Sequence, residues 1–121
     1  MSRHLLIFLL CTCSAAAAQT PDEIRTQVLR EPGADGALIA LALHCKHPKD
    51  AVNSLADKLE ALTMALARSK SVALDGNTYY GLVHDGFLQT REVLSVADVG
   101  EATYRDQCAG AQARIEKKLA Q

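Results

Sequence analysis

The chain has 121 residues, enough for one domain. It contains 13 lysines and arginines and 14 acidic residues, so its formal net charge is −1. Acidic and basic residues are interspersed, which excludes a basic footprint for nucleic acid and a polybasic membrane patch. Aromatic residues make up only 4% of the chain, so its core must be built from Leu, Val, Ile and Ala.

The first 18 residues have the composition of a removable signal peptide. A short polar start precedes the apolar residues 5–10, and Ala16 and Ala18 match the small residues that signal peptidases recognise. The apolar run is much shorter than the roughly 20 residues of a membrane span. We therefore predict cleavage near Ala18–Gln19, a periplasmic or secreted product, and a single helical domain over residues 19–121.

Two alternatives to this leader are a structural N-terminal helix and a lipid anchor on Cys11 or Cys13. A capping box begins directly after the alanines, at Thr20, and argues against one helix running through this region. Lipid-modified cysteines usually follow a small residue, whereas Leu10 and Thr12 precede these two.

Two short helices are predicted at the start of the mature chain. Residues 20–23 (Thr-Pro-Asp-Glu) form a capping box with proline at the first helical position, and they predict a helix over residues 21–30. Pro32 is expected to end it. A second helix, over about residues 34–46, is apolar all round in its middle, which places it at the centre of the fold.

Three longer helices are predicted after Pro48, over about residues 49–70, 78–96 and 99–120. The first of them has an apolar face spaced by three and four residues, formed by Val52, Leu55, Leu59, Leu62 and Leu66. The last has a similar face, formed by Tyr104, Cys108, Ala111, Ile115 and Leu119. These patterns, with no alternating strand pattern, predict an all-α bundle of four or five short helices.

Turn and cap residues separate these helices. The sequence Asp75-Gly76-Asn77 predicts a turn, and Asp98 is the expected N-cap of the last helix. Gly81 and Gly86 lie inside the fourth predicted helix, where each glycine costs about 1 kcal/mol relative to alanine. They either allow another helix to approach closely or mark a break.

Cys45 and Cys108 are the only cysteines left once the leader is removed. In an oxidising compartment an even cysteine count favours a disulfide, and we predict that these two residues form one. The bond would close a loop of about 60 residues and contribute about 4 kcal/mol by the loop-entropy model. The alternative is a pair of separate buried thiols.

His44, Cys45 and His47 form the only cluster of metal-ligand residue types. A site for zinc or copper that uses His44, His47 and, if the fold brings it near, His84 is an alternative hypothesis. A disulfide would remove Cys45 from such a site. The favoured interpretation is that basic residues gather at a helix C-terminus, where they satisfy the last carbonyls, and no cofactor is predicted.

His84 and Asp85 are the only hint of general-base chemistry. Adjacent positions on a helix point about 100° apart, so these two side chains are not expected to pair. The chain also lacks the G-x-S-x-G and H-E-x-x-H motifs. A small hydrolase that uses His84 is therefore the second alternative, behind a non-enzymatic protein.

The leading hypothesis is a helical protein that binds another protein, as an inhibitor, an immunity-like factor or an accessory envelope subunit. It rests on the missing catalytic motifs and on a scaffold whose disulfide would present a rigid surface. Aromatic residues are enriched at interface hot spots, and Tyr80 and Tyr104 are the predicted interface residues. By their position on the helical stripe, Tyr79 and Phe87 are expected to be buried.

Overall fold

A computed structural model describes residues 18–96 and 99–121, and these residues form four α-helices and no strand. The helices are α1 (Pro21–His44), α2 (Lys49–Ser69), α3 (Gly76–Val96) and α4 (Glu101–Leu119). The prediction of an all-α fold is confirmed. The predicted leader and the predicted cap at Asp98 lie outside the described residues.

Helix α1 is continuous, and the prediction that Pro32 separates two short helices was wrong. Proline inside a helix removes one backbone hydrogen bond and costs about 3 kcal/mol. Pro32 is nevertheless among the most deeply buried side chains of the protein, and α1 contacts each of the other three helices. Tertiary packing along the whole of α1 therefore outweighs the local preference for a helix end at Pro32.

Helices α1 and α3 are each capped by a polar side chain that precedes them. At the start of α1, the Glu23 backbone N–H donates to Thr20 Oγ1 (3.2 Å), as the capping box predicted. At the start of α3, the Thr78 N–H donates to Asp75 Oδ1 (2.8 Å), so Asp75 caps the helix. Residues 76–77, predicted as part of a turn, are instead the first residues of α3. Helix α4 begins at Glu101, after Gly100 in the cap position.

The core lies between α1, α2 and α4. Six buried side chains form one cluster: Leu38, Ala42, Val52, Leu55, Leu59 and Ile115. The predicted apolar face of α2 is buried at its first three positions and half-buried at Leu62 and Leu66. On α4 the predicted face is buried at Ala111 and Ile115, whereas Leu119 is 49% exposed.

Helix α3 packs most closely against α1, at a glycine contact. The backbone of Gly36 lies against Val83 and Phe87 of α3, and Gly86 lies against the backbone of Gly33. A Cβ atom added at Gly36 or Gly86 would overlap the opposite backbone. Gly86 therefore allows another helix to approach closely, which is one of the two roles predicted for it. Gly81, by contrast, faces open space.

The disulfide predicted between Cys45 and Cys108 is present, with a Cα–Cα distance of 5.5 Å. It joins the C-terminal end of α1 to α4. Beside it, the Tyr104 hydroxyl donates to the His44 backbone carbonyl (2.9 Å), and the rings of these two residues pack edge to face, with centroids 5.3 Å apart. The end of α1 is therefore held by a covalent bond and by aromatic packing.

None of the helices in the described residues is long and apolar enough to cross a membrane.

Candidate functional site

The strongest candidate site is a groove between the C-terminal halves of α1 and α3, with a volume of about 580 Å³. Its lining is mostly apolar and is formed by Ala40, Leu43, His44, Phe87, Arg91, Leu94 and Ser95. Helix α1 supplies the first three of these residues from its last two turns, and α3 supplies the rest. We call this feature the α1/α3 groove.

Large apolar side chains on the two helices that form the α1/α3 groove are exposed to solvent. Leu43, in the lining of the groove, is 46% exposed, although its segment was predicted to be buried on most sides. Leu88 is 44% exposed and lies one turn before Arg91, on the same side of α3. Single exposed apolar residues are ordinary, but apolar residues that line a concave surface favour a binding site.

The polar groups of the α1/α3 groove are few. In the part of the chain that the structure describes, Arg91 is the only lining residue with a permanent charge, and no acidic residue lines the groove. His44 Nε2 is shielded from solvent and has no hydrogen-bond partner among the described residues. An apolar groove with a small number of polar groups is typical of a ligand site, in which the polar groups fix the orientation of the ligand.

The three histidines of the metal hypothesis are not gathered into one group. In the described ranges there is no set of three or more His, Cys, Asp or Glu side chains that could hold a metal ion. His44 packs on Tyr104, and Cys45 is committed to the disulfide. His84 is exposed on α3 and does not line the α1/α3 groove.

The two tyrosines predicted as interface residues have different environments. Tyr80 is 57% exposed, and its hydroxyl donates to Glu60 Oε2 (2.8 Å), a bond that raises the pKa of Tyr80. Tyr104 is half-buried and is bound to the end of α1. Their role in an interface stays a prediction. Tyr79 is buried as expected, whereas Phe87 is half-buried in the groove.

A buried carboxylate joins three helices next to the core. Asp35 of α1 is only 2% exposed, and its Oδ2 accepts hydrogen bonds from Thr63 Oγ1 of α2 (2.6 Å) and from the Tyr79 hydroxyl of α3 (3.0 Å). Burial raises the pKa of Asp35, against the two hydrogen bonds, which lower it. Burial, followed by the nearby charge of Asp35, raises the pKa of Tyr79.

Sequence reasoning missed both the α1/α3 groove and the Asp35 cluster. Asp35 could have been noticed as an acidic residue inside an apolar segment, because buried charges need partners. Gly33 and Gly36, spaced by three, could have indicated a close helix contact. The groove itself has no local signal, since its two walls lie more than 40 residues apart in the chain.

Comparison of this chain with protein-family models, with curated proteins and with solved structures gave no match, so no family is assigned.

Proposed function

We propose that this protein is a non-enzymatic, periplasmic or secreted helical protein that binds another protein through the α1/α3 groove. Inhibitors, immunity-like factors and accessory envelope subunits are the classes that fit such a protein. The observation that carries the proposal is the exposure of Leu43 in the lining of a largely apolar groove. Full burial of an exposed leucine is favourable by about 1.5–3 kcal/mol, and burying the exposed part of Leu43 against a partner is favourable by roughly half of that.

The bonds that hold the C-terminal end of α1 in place also support this proposal. The last turn of α1, which forms one wall of the groove, is bound to α4 through the Cys45–Cys108 disulfide and the Tyr104 hydrogen bond. A rigid wall reduces the entropy lost on binding, so more of the contact energy appears as affinity. A stiff apolar surface of this kind suits recognition of a partner.

The proposal is tested by replacing the exposed leucine of the groove with a polar residue of similar size. We expect Leu43→Asn to weaken binding of the natural partner by ten- to a hundredfold, which corresponds to about 1.4–2.8 kcal/mol. The matched control is Leu119→Asn, a leucine of similar exposure on α4 that does not line the groove. The variants and the unchanged protein are tagged, expressed in the source cells, extracted gently and examined by native mass spectrometry.

The expected result is a stoichiometric partner that copurifies with the unchanged protein and with Leu119→Asn but not with Leu43→Asn. If all three proteins retain the partner equally, the α1/α3 groove is not the binding site. If the unchanged protein carries no partner in its own compartment, the proposed function is wrong.

A further inference from the structure

We infer that the occupant of the α1/α3 groove is an amphipathic helix of the partner protein, with a carboxylate side chain that pairs with Arg91. This inference rests on the proposed function and adds to it the chemistry of the partner segment. It is carried by the shape of the groove and by the charge of its lining.

The shape of the groove favours a helical segment. Its α3 wall runs from Phe87 to Ser95, which corresponds to about 12 Å along a helix at 1.5 Å per residue. Helices that bind in grooves use anchor residues at positions i, i+4 and i+7, which span about 10 Å. Within the described residues no sheet edge exists on which an extended peptide could add a strand.

The apolar lining determines the anchors of the partner helix. Leu43, Phe87 and Leu94 offer aliphatic and aromatic surface. Leucine-sized anchors can fill the apolar part of this surface. A charged anchor in the middle of this lining would lose its hydration without compensation.

The charge of the lining selects a carboxylate at one position beside these anchors. Among the described residues, Arg91 is the only permanently charged one there, and no acidic side chain of residues 18–96 and 99–121 lines the groove to balance it. A guanidinium group presents two parallel N–H donors to a carboxylate, and such pairs combine charge with fixed geometry. A glutamate or aspartate on the partner helix would therefore bind Arg91, whereas a lysine there would be repelled.

Three synthetic peptides, each stapled into a helix because short free helices are only marginally stable, test this inference. All three carry leucine at i, i+4 and i+7 and differ only at i+3, which is glutamate, glutamine or lysine. Their dissociation constants for the disulfide-bonded protein are measured by fluorescence anisotropy. We expect the glutamate peptide to bind about tenfold more tightly than the glutamine peptide, and the lysine peptide to bind most weakly.

Substitution of Arg91 shows whether this preference comes from the groove. The preference for glutamate should disappear in Arg91→Gln and reverse in Arg91→Glu. It should persist in Arg114→Gln, which removes an exposed arginine of α4 that does not line the groove. If Arg91→Gln still prefers the glutamate peptide, the carboxylate binds elsewhere on the protein and the inference is wrong.

Other outcomes separate this inference from the proposed function. If the natural partner depends on Leu43 but no helical peptide binds, the function stands and the helical, acidic occupant is wrong. If native mass spectrometry shows a homodimer that Leu43→Asn dissociates, the groove is occupied by a second copy of this chain, and the inference is again wrong. If the natural partner binds regardless of Leu43, the proposed function itself fails.

Discussion

Asp35 is the residue that fits least well with its surroundings, because burying a carboxylate on an apolar stretch of helix has a large cost in free energy. Two donors, from Thr63 and Tyr79, compensate it and connect α1 to α2 and α3. Lys118 of α4 acts with these donors to lower the pKa, and Glu31 acts with burial to raise it. Burial is the largest of these effects, so the folded protein holds a proton on Asp35 more tightly than the unfolded chain does.

This raised pKa determines how Asp35 contributes to stability as the pH changes. Its contribution is fully present below the ordinary pKa of 3.8 and is lost as the pH rises through the higher pKa of the folded state. Asp35→Asn keeps an oxygen that can accept from Thr63 and Tyr79 but removes the titration. We therefore expect the free energy of unfolding of Asp35→Asn, relative to the unchanged protein, to increase across this pH window.

Urea unfolding of both proteins from pH 3 to pH 7 measures this difference, and the other carboxylates cancel because both proteins contain them. Asp57→Asn, at an exposed position of α2, is the control and should show no comparable trend. A difference that stays constant with pH, or that decreases as the pH rises, would contradict the proposed state of Asp35.

At the scale of helices, the contact between α1 and α3 depends on backbones that approach without intervening side chains. Gly36 and Gly86 make this possible, because a Cβ atom at either position would overlap the backbone of the opposite helix. Glycine is unfavourable in a helix interior by roughly 1 kcal/mol, and close packing offsets this cost only where the missing Cβ is needed. Gly81, with open space around it, has no such compensation.

Two alanine substitutions on α3 should therefore have opposite effects on stability. Gly86→Ala places a Cβ against the backbone of Gly33, so α3 must shift, and we expect a loss of about 1–3 kcal/mol. Gly81→Ala gains helix propensity without a clash and should stabilise the protein by about 0.5–1 kcal/mol. Chemical denaturation of both variants measures the two effects, and a stabilising Gly86→Ala would show that α1 and α3 do not meet at this point.

At the scale of the whole molecule, the Cys45–Cys108 bond connects residues 63 positions apart. It closes a loop that contains α2, α3 and the start of α4, and so it restricts the unfolded chain much more than a local bond would. The folded protein gains a fixed junction between α1 and α4 next to the α1/α3 groove.

Removal of this bond should cost stability, because the loop that it closes is long and the loop-closure entropy grows with the logarithm of loop length. We expect the double variant Cys45→Ala, Cys108→Ala to lose about 4 kcal/mol, measured by urea unfolding against the oxidised protein. The reduced form of the unchanged protein is the control and should behave like the double variant. If neither form is less stable than the oxidised protein, the packing around Tyr104 holds the end of α1 without help from the disulfide.

Much of the fold follows from patterns within single segments. The apolar spacing of Val52, Leu55 and Leu59 predicts α2, and the Thr20 side chain caps α1 as its sequence context predicts. The pairing of Cys45 with Cys108 follows from their being the two cysteines left after the predicted leader. These features depend on the spacing of apolar residues, on capping side chains and on the number of cysteines, and all three can be obtained from the sequence alone.

Other features depend on residues that are distant in the chain, and only the tertiary structure decides them. Whether Pro32 ends a helix depends on how strongly α1 packs against its neighbours. Here this packing outweighs the preference of proline for a helix end. The partners of Asp35 come from two other helices, and the α1/α3 groove exists only because glycines let those helices meet. By itself the sequence determined most of the helical segments, whereas the packing of the helices decided that α1 continues through Pro32, which side chains are buried and which line the α1/α3 groove.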